Sequence, residues 1–440
     1  MLKRKILDSL ISWKSSPNKV ALLVKGARQV GKTTSIRDFG KKFYKSFIEI
    51  NFERNPKFIK AFDGDLDART IILNLSSMGL GPFIKNETLI FFDEIQSCPA
   101  ARTSIKFLVE DGQYDYIESG SLLGINYSDV SSFPVGFEEQ IQMFPLDFEE
   151  FLWANGVSNE IVEVLSQSFM SLKAAPSFIH NQIMEHFKRY MIVGGMPRVV
   201  ETFLSNNDLS QTLRAQQIIL SNYRDDISKY AGQNKTKVKN IFDSIPEQLS
   251  KEKKRFFFNL ADKNAYFSRY DEATSWLIDA GIANYCINVS SMELPFSFFE
   301  KRNMFKLYMA DTGLLCRMAM NGIQNSLLQG DIYINKGAIT ENVVSSILSS
   351  NGKPLYYYDK KSRQELDFLI NENNAITIIE VKSGKDYKSH SSLDNALYLE
   401  KLALESKGKP YINRAIVLSE NNVESQGKIV YLPIYMAIFL

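Results

Sequence analysis

The sequence predicts an α/β protein of several domains, and three observations carry that prediction. A short apolar run at residues 20–24 leads into a glycine-bearing loop and then a helical pattern. A second apolar run, residues 88–96, ends in two acids. A third region, residues 365–382, sets two carboxylates on one strand-like run and a carboxylate and a lysine on the next.

Composition sets the frame. With 440 residues, 45% hydrophobic and 23% charged, the chain is long enough for two to four globular domains. Its net charge of +2 announces no nucleic-acid partner through a global field, so such a role must come from local patches. Cys98, Cys286 and Cys316 are widely spaced, and only three histidines are present, which makes a zinc site a poor expectation. The basic, amphipathic start MLKRKILDSLISWK lacks the continuous apolar core of a signal peptide. No apolar run reaches the ~20 residues needed to span a bilayer. A cytoplasmic protein without membrane contact is expected.

The first element, VALLVKGARQVGKTTSIRDFG, fits GxxxxGK[ST] between a strand and a helix. Gly26 and Gly31 let the loop curl so that backbone N–H groups face phosphate oxygens. Lys32 reaches the β and γ phosphates, Thr33 offers its hydroxyl to magnesium, and Thr34 follows in the same turn. A bare glycine turn is the alternative, but the flanking strand and helix argue against it. In TLIFFDEIQ, Asp93 is placed to hold the magnesium ion through water and Glu94 to polarise the attacking water. YDYIESGS offers Ser119 or Ser121 as a γ-phosphate sensor, although a plain turn explains those serines equally well. ATP and Mg²⁺ are the expected cofactors.

In order along the chain, GARQVGKTT, FFDEIQSCP, SGSLLG, FPLDFEEFL and VGGMPRVV, with YRDDISKY, FKLYMADTGLL and KGAITENVV further on, resemble a family of prokaryotic AAA+-type P-loop ATPases. In that family the ATPase module is followed by a domain of unknown function. The resemblance spans nearly the whole chain and implies an oligomerising ATPase with a nuclease-like fold at its C terminus. It supplies no biological role. One position departs from the pattern: after FPVG many relatives carry Arg or Lys, whereas this chain has Phe137. The arginine finger is therefore unassigned, with Arg102, Arg198 and Arg224 as substitutes that packing or surface roles explain as well.

Four segments follow: a P-loop core at 1–154, a helical lid at 155–228, a winged-helix-like region at 229–330 and a C-terminal domain at 331–440. Gly194, Gly195 and Pro197 break the helical pattern either as a lid hinge or as a simple turn. Residues 229–255 carry 8 basic side chains against 3 acidic ones, +5 in a near-neutral protein. A helix and a β ribbon follow, the order of a winged helix. Neutralising Lys253, Lys254 and Arg255 is expected to weaken duplex DNA binding, unless the stretch is only a solvated face.

The final segment reads as a helix, three strands, a helix and a strand. That is the order of the restriction-endonuclease-like core, and Asp…Glu-x-Lys is the active-site signature of that superfamily. Residues i and i+2 of a strand share a face, so Glu380 and Lys382 project together, with Asp367 on the neighbouring strand. Asp367 and Glu380 are the expected ligands of a second Mg²⁺ or Mn²⁺. Lys382 orients the attacking water, Glu341 adds a carboxylate, and Glu365 assists or substitutes for Asp367. Basic residues flank this site: Lys360, Lys361 and Arg363 before it, Lys385 and Lys388 after it. Two readings stay open: an ATP-dependent machine that cuts DNA, and a nucleotide-switched scaffold, binding DNA or protein, whose nuclease-like domain does not cut.

Overall fold

The computed structural model describes residues 2–120, 134–206, 208–262, 266–320, 336–360, 364–384, 386–407 and 412–440. Ser121, Lys361, Arg363 and Lys385, singled out above, lie outside the described residues. Two compact units emerge, Lys3–Phe144 and Pro145–Leu440.

The first unit is built on five parallel strands, β1 (Ala21–Lys25), β2 (Ser46–Asn51), β3 (Thr88–Asp93), β4 (Asp115–Ser119) and β5 (Glu138–Gln142), in the order β2-β3-β4-β1-β5. Parallel strands covered on both faces read as continuous apolar runs, and β3 is buried at every position. Among its helices are α1 (Ile6–Ser15), α2 (Lys32–Phe43), α3 (Ala68–Ser77) and α4 (Pro99–Asp111). A core of Ile50, Phe52, Phe62, Phe92 and Ile105 fixes β2 and β3 against α3 and α4. The order matters for chemistry. Because β4 lies between β1 and β3, the loop after β1 and the ends of β3 and β4 open on one sheet edge, where ligands of open parallel sheets sit.

The second unit begins with helices α5 (Phe148–Ala154), α6 (Asn159–Ser171), α7 (Ser177–Val193), α8 (Pro197–Asn206) and α9 (Leu209–Tyr230). Next come α10 (Lys235–Ser250), α11 (Phe258–Ala261), α12 (Phe267–Asp279) and the antiparallel pair β6 (Ala283–Val289) and β7 (Glu300–Met309). Helices α13 (Thr312–Met320) and α14 (Lys336–Ser350) precede β8 (Leu355–Asp359), β9 (Glu365–Glu372) and β10 (Ala375–Val381). The chain closes with α15 (Ser391–Lys407), β11 (Ile412–Ser419), β12 (Glu424–Gln426) and β13 (Ile429–Pro433). Among the described residues, the eight strands of this unit form one sheet, β12-β13-β11-β10-β9-β8-β6-β7. The β ribbon expected as a wing is thus continuous with the C-terminal strands, because β6 pairs in parallel with β8. The expected boundary at 330/331 falls between strands of a single sheet. The segment expected as a lid also lies in this unit. There Asn422 exchanges hydrogen bonds with the Ala175 backbone, and His180 meets the Tyr435 hydroxyl at 3.0 Å.

Three of the sequence stretches quoted above meet at one point. Gly195 packs so closely on Leu146 that a Cβ there would lie 2.0 Å from the Leu146 carbonyl oxygen. The Leu146 N–H donates to Gly195 O at 2.7 Å. Asp311 accepts from the Gly195 N–H at 2.7 Å and from the Leu314 N–H at 2.8 Å, capping α13. A Cβ on Gly313 would lie 2.4 Å from Val193 O. Burial of Asp311 pushes its carboxyl up to about 6 despite the N–H groups it accepts. The GG break between α7 and α8 is pinned on both sides.

Candidate functional site

The nucleotide motif folds as its spacing requires. Gly26 has φ +148°, and a Cβ there would lie 2.2 Å from Met143 O, so only glycine fits. Gly31, at φ +98°, stands at the N-cap of α2 and turns the loop into the helix. The Lys32 ammonium is buried and curls back on its own loop, donating to Gly26 O at 2.8 Å and Ala27 O at 3.0 Å. Burial pulls its pKa down to about 8, against the pull of Glu94 and Asp93. Thr34 is exposed in the first turn of α2.

Asp93, at the end of β3, gathers donors from three elements. Thr33 Oγ1 of α2 lies 3.2 and 3.1 Å from its two carboxylate oxygens. Ser119 Oγ, from β4, donates to Oδ1 at 2.5 Å, and Asn51 Nδ2, from β2, donates to Oδ2 at 2.8 Å. Glu94 follows in the left-handed region at φ 53°, which turns its carboxylate out of the strand alternation. That carboxylate accepts from Gln96 Nε2 at 2.6 Å, and burial raises its pKa. Asn51 and Gln96 carry no mark in the sequence as site residues. A polar residue at a strand end is the faint signal for the first, and Gln96 sits unassigned within FFDEIQ.

The hydroxyl of Thr33 and the carboxylate of Asp93 are hard oxygen donors that fit Mg²⁺, an ion that takes one or two protein ligands and completes its shell with phosphate and water. Among the described residues, no group of three or more His, Cys, Asp or Glu side chains is arranged to hold a metal by itself. Two of the arginine-finger substitutes are engaged internally. Arg102 is buried between Glu118, at 2.6 Å, and Glu138, and Arg224 pairs with Asp243 at 2.8 Å. Arg198 is exposed on α8. At Phe137, Lys106 lies over the aromatic ring, 5.7 Å from its centroid.

The C-terminal carboxylates are brought together, but around a different cation from the expected metal. Lys306 of β7 has a fully buried side chain. Its Nζ lies 3.0 Å from Glu341, 2.8 Å from Glu365 and 3.7 Å from Asp367. Glu341, expected as an additional metal ligand, also accepts from Lys254 and from the Tyr308 hydroxyl. Although burial opposes its charge, Lys254 and Lys306 hold it down at about 2. Lys306 is raised well above the usual lysine value by the three carboxylates, against the effect of burial. Asp367 accepts from the Val381 N–H at 2.9 Å, and burial, with Glu341 nearby, raises it. Glu380 pairs with Lys382 at 3.1 Å; burial and the neighbouring Asp367 push it up to about 8. The residues expected to bind a second divalent ion therefore lie among cations, although the Oε2 of Glu380 is buried without a hydrogen-bond partner. Lysines answer most of their charge. Lys254, expected to face DNA, is spent on Glu341.

Residues 18–152 match a family described as an AAA domain. Residues 184–326 and 336–436 match two domain families of unknown function, DUF8612 and DUF4143. A search of curated proteins found no match. Similar solved structures include the Walker-type ATPase of Pyrococcus abyssi, at 15% identity over 73% of this chain and 96% of that one, with a TM-score of 0.44. The Orc1 protein of Aeropyrum pernix in complex with DNA covers 74% of this chain and 91% of its own at 12% identity, TM-score 0.28. Cdc6p of Pyrobaculum aerophilum covers 74% and 94% at 12% identity, TM-score 0.25. With scores this low, the likenesses add nothing to the sheet order described above. The first unit carries a P-loop domain of the AAA ATPase type.

Proposed function

We propose that this chain is an ATP-hydrolysing switch that binds DNA, with a C-terminal sheet that binds rather than cuts. The observation that carries the reading is the convergence of Thr33, Ser119 and Asn51 on Asp93, with Lys32 and Glu94 beside it. In this reading Gly26, Gly31, Lys32, Thr33 and Thr34 hold the phosphates, and Ser119 couples the γ-phosphate position to Asp93. Thr33 and Asp93 would hold Mg²⁺, which neutralises phosphate charge when bound. Glu94 orients and deprotonates the attacking water, and the raised pKa that burial gives it suits a base. A homo-oligomer is the assembly this reading expects, with its arginine finger unassigned.

DNA is the partner favoured by the basic stretch before the β ribbon, where Lys235, Lys239 and Lys253 are exposed. Four segments remain the working division of labour: core, lid, winged-helix-like region and C-terminal domain. ATP turnover by the purified chain, lost in Lys32→Ala, tests the first half of the reading. Duplex binding measured with ATP and with ADP tests the second. A triple change of Lys235, Lys239 and Lys253 to Gln is expected to weaken binding and to flatten its salt dependence. The slope should fall by about one unit for each phosphate that is no longer neutralised. Binding that ignores both nucleotide and the triple change would refute the switch.

A second reading, metal-dependent phosphodiester cleavage by Asp367, Glu380 and Lys382, is favoured by one observation. The Val381 N–H on Asp367 brings the ends of β9 and β10 together, so the three side chains cluster. Cleavage in Mg²⁺ or Mn²⁺ that Lys382→Ala abolishes would establish it.

A further inference from the structure

The C-terminal cluster contains a residue that the expected nuclease signature does not include. Lys306 lies in the middle of β7, between Phe305 and Leu307, and its side chain has no exposure to solvent. An ammonium taken out of water is costly unless every N–H finds a partner. Here each direction is answered. Glu341 and Glu365 accept at 3.0 and 2.8 Å, Asp367 adds its charge at 3.7 Å, and the Tyr357 ring lies with its centroid 5.0 Å away. The strand alternation builds this contact: Lys306 and Tyr308 share one face of β7 and both reach Glu341 on α14. Glu365 and Asp367, also two residues apart, lie on β9 at the same face of the sheet, beside Lys306.

Charge counting supports the same picture. Glu341, Glu365, Asp367 and Glu380 supply four formal negative charges, and Lys306, Lys254 and Lys382 supply three positive ones. The balance of −1 compares with −4 for the same carboxylates without lysines. A site that recruits a divalent cation gains by neutralising uncompensated carboxylates, and most of that charge is already neutralised. A divalent ion among these oxygens would also stand against a buried ammonium, which repels it at close range.

We propose that Lys306 is the resident cation of this carboxylate cluster, occupying the place of a divalent metal and keeping the C-terminal sheet from binding one. Lys306 comes from the β ribbon, while its partners come from α14 and β9 of the C-terminal segment. The same ion pairs therefore tie the ribbon to the sheet that it extends. The inference bears on the choice between binding and cutting in the reading above, and that reading's ATPase half stands or falls separately, on Lys32→Ala.

The test is a count of Mn²⁺ bound per nucleotide-free, full-length chain, read by electron paramagnetic resonance of free Mn²⁺. Wild type and Asp367→Asn are expected to bind equally, because Asp367 holds no metal while Lys306 is present. Lys306→Met is expected to gain one Mn²⁺ per chain, and adding Asp367→Asn to it is expected to remove that gain. Any Mn²⁺ held by Thr33 and Asp93 is common to all four proteins and cancels. One Mn²⁺ fewer in Asp367→Asn than in wild type would overturn the proposal. So would a folded Lys306→Met that gains none, or a gain that Asp367→Asn leaves in place. Should Lys306→Met fail to fold, the wild-type comparison with Asp367→Asn decides alone.

Discussion

Replacing Asp311 with Ala removes the acceptor that joins the GG break to the start of α13. Two buried N–H groups, of Gly195 and Leu314, are deprived of a charged partner at 2.7 and 2.8 Å. Each orphaned buried donor costs about 1–3 kcal/mol. Relief from desolvating the carboxylate offsets part of that, so a destabilisation of about 3 kcal/mol at pH 7 is expected by the same principle. The pH dependence gives the sharper test. Asp311 is raised from 3.8 to about 6 in the folded chain, so the folded state holds the proton more tightly than the unfolded state. Wild-type stability from this group is therefore greatest below about pH 4, falls as pH rises to about 6, and is level above that. That rise corresponds to about 3 kcal/mol over that window. Alanine has no such dependence. Urea unfolding of both proteins between pH 4 and 7 should show the gap between them widening on acidification. A gap that stays constant or narrows would refute the assignment of Asp311 as a buried, proton-retaining anchor.

Other outcomes follow from the same geometry. Gly195→Ala forces a Cβ to 2.0 Å from a backbone carbonyl and breaks the Leu146 hydrogen bond, so thermal denaturation should show a destabilisation of about 2–4 kcal/mol. Asn51→Ala removes one of the three side-chain donors to Asp93. The Mg²⁺ concentration for half-maximal ATP turnover should rise about 10- to 100-fold, as when outer-shell partners of a metal ligand are removed. Arg102→Ala leaves Glu118 and Glu138 buried without their cation and should destabilise the fold by about 3–5 kcal/mol. Because Arg102 is an internal ion-pair partner, ATP turnover per folded chain should be retained.

How much of this was legible in the sequence depended on how local the signal was. The loop from Gly26 to Thr34 and the acids after β3 follow from spacing alone, because the chemistry and the backbone turn are written in adjacent residues. Strands at 355–359, 365–372 and 375–381 are visible through apolar runs and alternation. Asn51 is hidden because its partner, Asp93, is 42 positions away and a polar strand end has many ordinary explanations. Lys306 is hidden for the same reason. It sits in FKLYM as one polar residue in an apolar alternation, and its carboxylates come from 35 or more positions along the chain. Charge runs misled where burial decided. Lys254 belongs to the basic stretch by sequence, yet its ammonium is committed to Glu341. Nor did the wing-like ribbon mark itself as part of a larger sheet, since nothing local to β6 records that its free edge meets β8.

In the proposed function the first unit hydrolyses ATP with Glu94 as the base. Its most direct test is single-turnover hydrolysis of radiolabelled ATP by wild type and Glu94→Gln, with nucleotide binding measured on both. Glu94→Gln is expected to bind ATP as wild type does and to hydrolyse it about 100-fold or more slowly, the scale set by removing a general base. Equal hydrolysis rates in the two proteins would contradict it.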